Sequence, residues 1–161
     1  MNRIDEVTPS LNQAAFLALT PLAIEWIERC SRDILQHGAP LNERDIVMAR
    51  AVGVQYPEKI RVSLVTQLPL PTDSFLRQAA LQAGLLGPNM IGLTLGYGIY
   101  ICNGFNDHRL LSHECRHVHQ YEQAGSIAAY IPKYLQQIAE FGYTNAPYEV
   151  DARAHEIHSY A

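Results

Sequence analysis

Charge is sparse in this chain. Only 17% of its 161 residues are charged, and 12 basic residues against 16 acidic ones leave a formal net charge of −4. The basic excess that marks most nucleic-acid binders is missing, so no nucleic-acid partner is expected. Long apolar runs are missing too, which leaves no candidate for a membrane-spanning helix. No basic leader opens the chain, because Arg3 is followed by Asp5 and Glu6. The apolar stretch from Ala14 to Ile27 is interrupted by Pro21 and Glu25, so it reads as a helix and not as a signal peptide. Cysteine is scarce. Cys30, Cys102 and Cys115 cannot all pair with one another, and no CxxC spacing links them. They read as reduced thiols in a cytoplasmic protein. No internal repeat and no low-complexity tract is present. Disorder is excluded by an apolar content of 48%.

The length suits one domain spanning 1–161. Residues 1–90 read as a helical N-terminal part with one strand, and 91–161 as the part that carries the chemistry. Thr8, Pro9 and Ser10 open a first helical region, and Thr20-Pro21 restarts it, with Pro21 in the first turn. Leu22, Trp26, Ile27, Cys30 and Ile34 form one apolar face. Asn42 caps a second helix with Ile46, Ala49 and Val52 as its stripe. Ile60, Val62 and Leu64 alternate with polar residues as in a strand. A third helix spans Thr72 to Ala83. Gly92 to Cys102 reads as one second strand, with Leu93, Leu95, Tyr97, Ile99 and Ile101 on one side. A helix follows from Asn106 or Asp107 to about Ala124, stopped by Gly125. Ser126 starts another, to about Phe141, and Pro147 the last. Helices at both ends with strands between give an α+β class.

Histidine is what the chain does have. Six of its 7 histidines lie in 108–158. Among them, His113-Glu114-Cys115-Arg116-His117 is an HExxH pattern. A shuffled chain of this composition gives such a pattern roughly 2% of the time, so its helical setting carries much of the weight. On a helix, His113 and His117 lie only about 40° apart, and both imidazoles can reach one zinc ion. Glu114 lies about 100° from His113, where it can touch a water without ligating the metal. Cys115 falls about 200° from His113 and His119 about 240°, so both point away. A third ligand must come from elsewhere. Glu122 is on the wrong side of the same helix, which leaves Glu140, Glu149, Asp151, His155, Glu156 and His158. Thirty-one residues separate His117 from Glu149, enough for one helix out and one back. His155 and His158, three apart, read as surface residues before they read as a second metal pair.

The stretch Arg109 to Tyr121, with Gly142-Tyr143 and Pro147-Tyr148-Glu149-Val150-Asp151-Ala152, resembles compact gluzincin-type zinc metallopeptidases. The likeness covers about Gly92 to Glu156. It implies a mostly helical zincin-like domain, with a small β-sheet packed by the HExxH helix. It implies His113, His117 and Glu149 as ligands of Zn²⁺, with Asp151 as the alternative third ligand or an acceptor behind the ligands. Glu114 becomes the general base. One departure is Arg153, four residues after Glu149, where some members place an acid that orients a ligand histidine.

These residues lead to the expectation of a zinc metallopeptidase acting on a peptide or protein substrate. Tyr143, and after it Tyr121, are the candidate donors to the oxyanion. Gly96 and Gly98 either relieve crowding in the sheet or leave an edge open to a peptide backbone. The rival expectation is a catalytically silent zinc-binding domain with a structural or interaction role.

Overall fold

A computed structural model of the chain describes residues 13–158. The helix opening expected at Thr8, Pro9 and Ser10 lies outside the described residues. Helix α1 spans Gln13–His37 without a break. Pro21 is therefore interior and does not restart a helix. Its missing N–H costs one backbone bond, and the Thr20 hydroxyl donates to the Phe16 carbonyl at 2.7 Å beside it. Burial of Leu19, Ala23 and Ile34 on the same helix outweighs that loss.

Strand β1 (Ala39–Pro40) leads into α2 (Glu43–Ala51). Asn42 caps α2 by accepting from the Asp45 N–H at 2.8 Å. A 3-10 turn at Pro57–Lys59 precedes β2 (Arg61–Val65). Ile60 is fully buried, but Leu64, which lies on the same face opposite Ile101, is 54% exposed. The reason is that β1 covers only Arg61 and Val62, which leaves the far end of β2 at the sheet edge. Helix α3 spans Ser74–Gln82, inside the expected limits, and Asp73 caps it through the Leu76 N–H.

The expected single strand from Gly92 to Cys102 is instead a hairpin of β3 (Gly92–Leu95) and β4 (Gly98–Cys102). Gly96-Tyr97 is the two-residue turn, with Gly96 at φ +67° in its first central position. Such turns favour glycine there. The turn reverses the faces. Leu93 pairs with Tyr100 and Thr94 with Ile99, so Leu93 and Leu95 face away from Ile99 and Ile101.

The sheet runs in the order β1-β2-β4-β3, with β2 and β4 parallel and the other pairs antiparallel. Helix α4 (His108–Ala124) and α2 cover one face, where Met48, Ile60, Ile99, Ile101, Cys115 and Val118 form a core. On the other face α1 packs Ile34 against Leu95, Tyr100 and Cys102. Helix α5 (Ile127–Asn145) starts at the Ser126 cap and leaves helical geometry at Gly142, so its regular part ends at Phe141 as the periodicity predicts. Helix α6 (Pro147–Ala154) packs against α4 and α5. Among the described residues, no helix is long and apolar enough to cross a membrane.

Gly98 lies in the middle of the sheet, and a Cβ there would meet Ile34 atoms at 3.0–3.3 Å. It relieves crowding and opens no edge. Gly98→Val is expected to lower stability by about 1–3 kcal/mol through overpacking. A shift of the urea midpoint without a change in slope would show it, and an unchanged midpoint would remove the packing argument.

Candidate metal centre

The side chain of Asp107 caps α4 through the Leu110 N–H at 2.8 Å, and Gly125 ends it in the left-handed conformation. That helix carries His113, Glu114 and His117. Pro147 starts α6, which places Glu149 in its first turn. Because α6 returns against α4, the Glu149 carboxylate enters between the two imidazoles. Its Oε2 lies 3.2 Å from His113 Nε2, and its Oε1 lies 3.3 Å from His117 Nε2. One ligand atom from each residue falls within 4.8 Å of the others. Tetrahedral ligands at about 2.0–2.1 Å from an ion stand roughly 3.3 Å apart, which is the spacing of each imidazole Nε2 from the Glu149 oxygen nearest to it. The side chains are 13%, 7% and 3% exposed for His113, His117 and Glu149. This buried group can hold a metal ion.

The far nitrogen of each imidazole is also held. His113 Nδ1 lies 2.9 Å from Glu156 Oε2, and His117 Nδ1 lies 2.8 Å from Gln120 Oε1. With oxygen acceptors there, both rings hold a proton on Nδ1, which leaves Nε2 as the atom that would bind an ion once its own proton is lost. The Gln120 amide is fixed by donating to Tyr148 O and Asp151 Oδ2, both at 2.9 Å, and its oxygen also accepts from the Tyr130 hydroxyl at 3.1 Å. Arg109 anchors Glu156 at 2.8 Å. The Tyr134 hydroxyl donates to Glu149 Oε1 at 2.9 Å.

Glu114 sits beside the group and faces β3. Thr94 Oγ1 donates to its Oε2 at 2.6 Å and also lies 3.1 Å from its backbone carbonyl. A Cβ at Gly92 would come within 2.7 Å of Glu114 Oε1, so the carboxylate needs a glycine there. Tyr143, just after the break at Gly142, lines the same cavity as Glu114 and Glu149. Tyr121 is buried, and its hydroxyl donates to Thr94 O at 3.2 Å.

The electrostatics follow from this packing. Burial disfavours a charged His113, but the Glu149 hydrogen bond, the Glu114 charge and the Glu156 hydrogen bond outweigh it and push its pKa up to about 9. His117 is raised by the same balance of burial against Glu149. Burial alone would raise the Glu149 carboxyl, yet the two imidazoles hold it well below the usual carboxylate range. Burial, then the Glu149 charge, raise Tyr143 and keep its phenol protonated at neutral pH.

The structure thus brings together His113, His117 and Glu149, with Glu114 alongside. Asp151 stays outside the group and pairs with Arg116 at 2.8 Å. Cys115 is fully buried in the core, and His119 bonds Gly53 O. Glu122 accepts from the Gln55 and Tyr56 N–H groups. Glu140 and His158 are exposed, and His155 bonds Asp151 O. Arg153 bonds Thr144 O, and Glu156, seven residues after Glu149, orients the histidine in its place. Sequence reasoning named Glu156 only as a possible ligand. It missed the supporting roles of Thr94, Gln120, Tyr130 and Tyr134. Gln120, one turn beyond His117, was findable from helical spacing. In comparisons with protein-family models, curated proteins and solved structures, nothing matches this chain.

Two outcomes are expected. Glu156→Ala should weaken metal binding about 10–100-fold, as loss of an orienting acceptor does elsewhere. Competition with a chromogenic chelator measures this, and an unchanged affinity would deny Glu156 that role. The second outcome concerns protons. A raised His113 pKa stabilises the metal-free fold fully below about 6.5, its unfolded value, and that contribution is lost as pH rises through about 9. Metal competes with the same protons. Apparent affinity should therefore climb between those pH values, and loading at neutral pH should release about one proton or more per ion. Calorimetry in buffers of different ionisation enthalpy reads this directly.

Proposed function

We propose that this chain is a zinc-dependent hydrolase of peptide-type amide bonds, a metallopeptidase in the broad sense. The observation that carries this reading is the placement of Glu114. Its carboxylate lines the same cavity as His117 and Glu149 and is aimed by Thr94, but it does not belong to the ligand group. A domain that only stores a metal has no use for a carboxylate held apart in this way. Two imidazoles and a carboxylate are a donor set that suits zinc, with a fourth position left for chemistry. The three cysteines are unpaired thiols, which fits the reducing, cytoplasmic setting included in the proposal.

In this mechanism the zinc supplies Lewis acidity toward the substrate carbonyl. Glu114 takes a proton from the attacking water, whose oxygen adds to the carbonyl carbon. The Tyr143 hydroxyl, kept protonated, donates to the developing oxyanion. Glu114 then delivers its proton to the amine nitrogen as the C–N bond breaks. Thr94 holds the carboxylate in register through both transfers. Tyr134 and Gln120 hold Glu149 and His117 still.

A second reading is a silent zinc domain. It draws on the burial of Glu114 and its short bond from Thr94, which limit the carboxylate's freedom.

Glu114→Gln separates the two. The variant should keep its zinc by elemental analysis and lose about 10²–10⁴-fold in amide hydrolysis. Hydrolysis at the wild-type rate would sink the mechanism. His113→Ala should lose both metal and activity.

A further inference from the structure

A cavity lies beside the metal group and runs on from it between α1, α3, α5 and β3. Its volume is about 110 Å³, room for a short aliphatic chain. Its charged lining groups among the described residues are Glu114, His117 and Glu149, gathered where α4 meets α6. The rest is apolar. Leu19 and Trp26 of α1, Leu76 and Ala79 of α3, and Ile131 and Leu135 of α5 form walls well removed in sequence from the metal ligands.

An extended peptide fits this space poorly. Each peptide unit brings an N–H and a C=O that need partners once buried. The walls from α1, α3 and α5 present side chains, because their backbone groups are bonded within the helices. The remaining wall is β3, the last strand of the sheet, and its middle carbonyl at Thr94 already accepts from Tyr121. One amide can therefore sit beside β3 and Glu114, while what extends beyond it must be hydrocarbon.

We infer that the substrate is an N-acylated amine or peptide whose acyl group is an aliphatic hydrocarbon chain, with the chain lying in this cavity and its carbonyl at Glu114. The inference rests on the hydrolase reading. Water adds its oxygen to the acyl carbon and its proton to the nitrogen, which yields an aliphatic carboxylate and a free amine.

The test uses linear alkyl hydroxamates, from acetyl to dodecanoyl, and the matching primary amides. Both series are titrated into the zinc-loaded and the zinc-stripped full chain. Affinity should rise about fourfold per added methylene until the cavity is full. Ala79→Leu, which adds bulk inside the cavity, should make the rise stop at a shorter chain while acetohydroxamate binds as before. The wild-type slope decides the question even if that variant misfolds. A flat slope overturns the inference, and zinc-dependent hydroxamate binding would then still support the metal reading. A steep slope without any advantage of hydroxamate over amide would keep the hydrocarbon site and overturn the metal reading.

Discussion

A carboxylate buried between two imidazoles governs this structure. Taking an ionised carboxylate out of water costs several kcal/mol unless charge and hydrogen bonds replace the water. Glu149 is 3% exposed, so the debt is nearly complete. His113, His117 and the Tyr134 hydroxyl are what meet it. Without a metal, protons on the imidazoles balance the charge, which is why both histidines are raised and Glu149 is lowered. A divalent ion would do the same work more strongly. The protons are thus stand-ins, and the site is built for a positive charge at its centre whichever species carries it.

The surrounding elements make sense as supports for that contact. The Asp107 cap and the Gly125 stop set the length of α4, and Cys115 and Val118 lock its back face into the sheet core. With that face fixed, the histidine face can point only toward α5 and α6. Helix α6 is short and would be marginal alone. It is held by Arg116 on Asp151, by Gln120 on the Tyr148 carbonyl and by Ile157 on Ser112. Tyr130 stacks between Tyr121 and Tyr148, with centroids at 3.8 and 4.8 Å, and carries the packing from α4 across to α6. Three polar ties and one aromatic stack therefore fix the carboxylate more firmly than the propensity of α6 could.

Much of the fold was legible because local rules were sufficient there. Asn42, Ser126, Gly125 and Pro147 mark helix ends by backbone chemistry that needs no tertiary partner. The relation of His113 to His117 follows from helical periodicity alone. The errors arose where two local signals competed or where a distant surface decided. Alternation across Gly92 to Cys102 continues through the turn, so it reads as one strand, yet Gly96-Tyr97 reverses the chain and swaps the faces. Pro21 reads as a helix start, but packing of α1 against both sheet and α5 carries the helix through it. Glu156 and Thr94 act only after α6 and β3 are folded against α4. No spacing rule along the chain foretells such a contact, and Glu149 itself needed a family pattern to be preferred over Asp151.

The division of labour between the halves explains why the N-terminal half carries no motif. Chemistry requires particular donors at particular angles, so α4 and α6 show a pattern of His and Glu. Enclosure requires only apolar bulk on one helix face, and many sequences meet that demand. Leu19, Ala23 and Trp26 are therefore indistinguishable in sequence from ordinary core residues. They differ in lining the cavity on one side while packing against Leu76, Tyr121, Tyr130 and Ile131 on the other. A cavity left unfilled forfeits contact energy that a close-packed interior would gain. Small residues on α3, Ala79, Ala80 and Ala83, keep that space open where larger ones would close it. The room beside Glu114 thus has a cost in stability, and a ligand that fills it recovers the lost contacts.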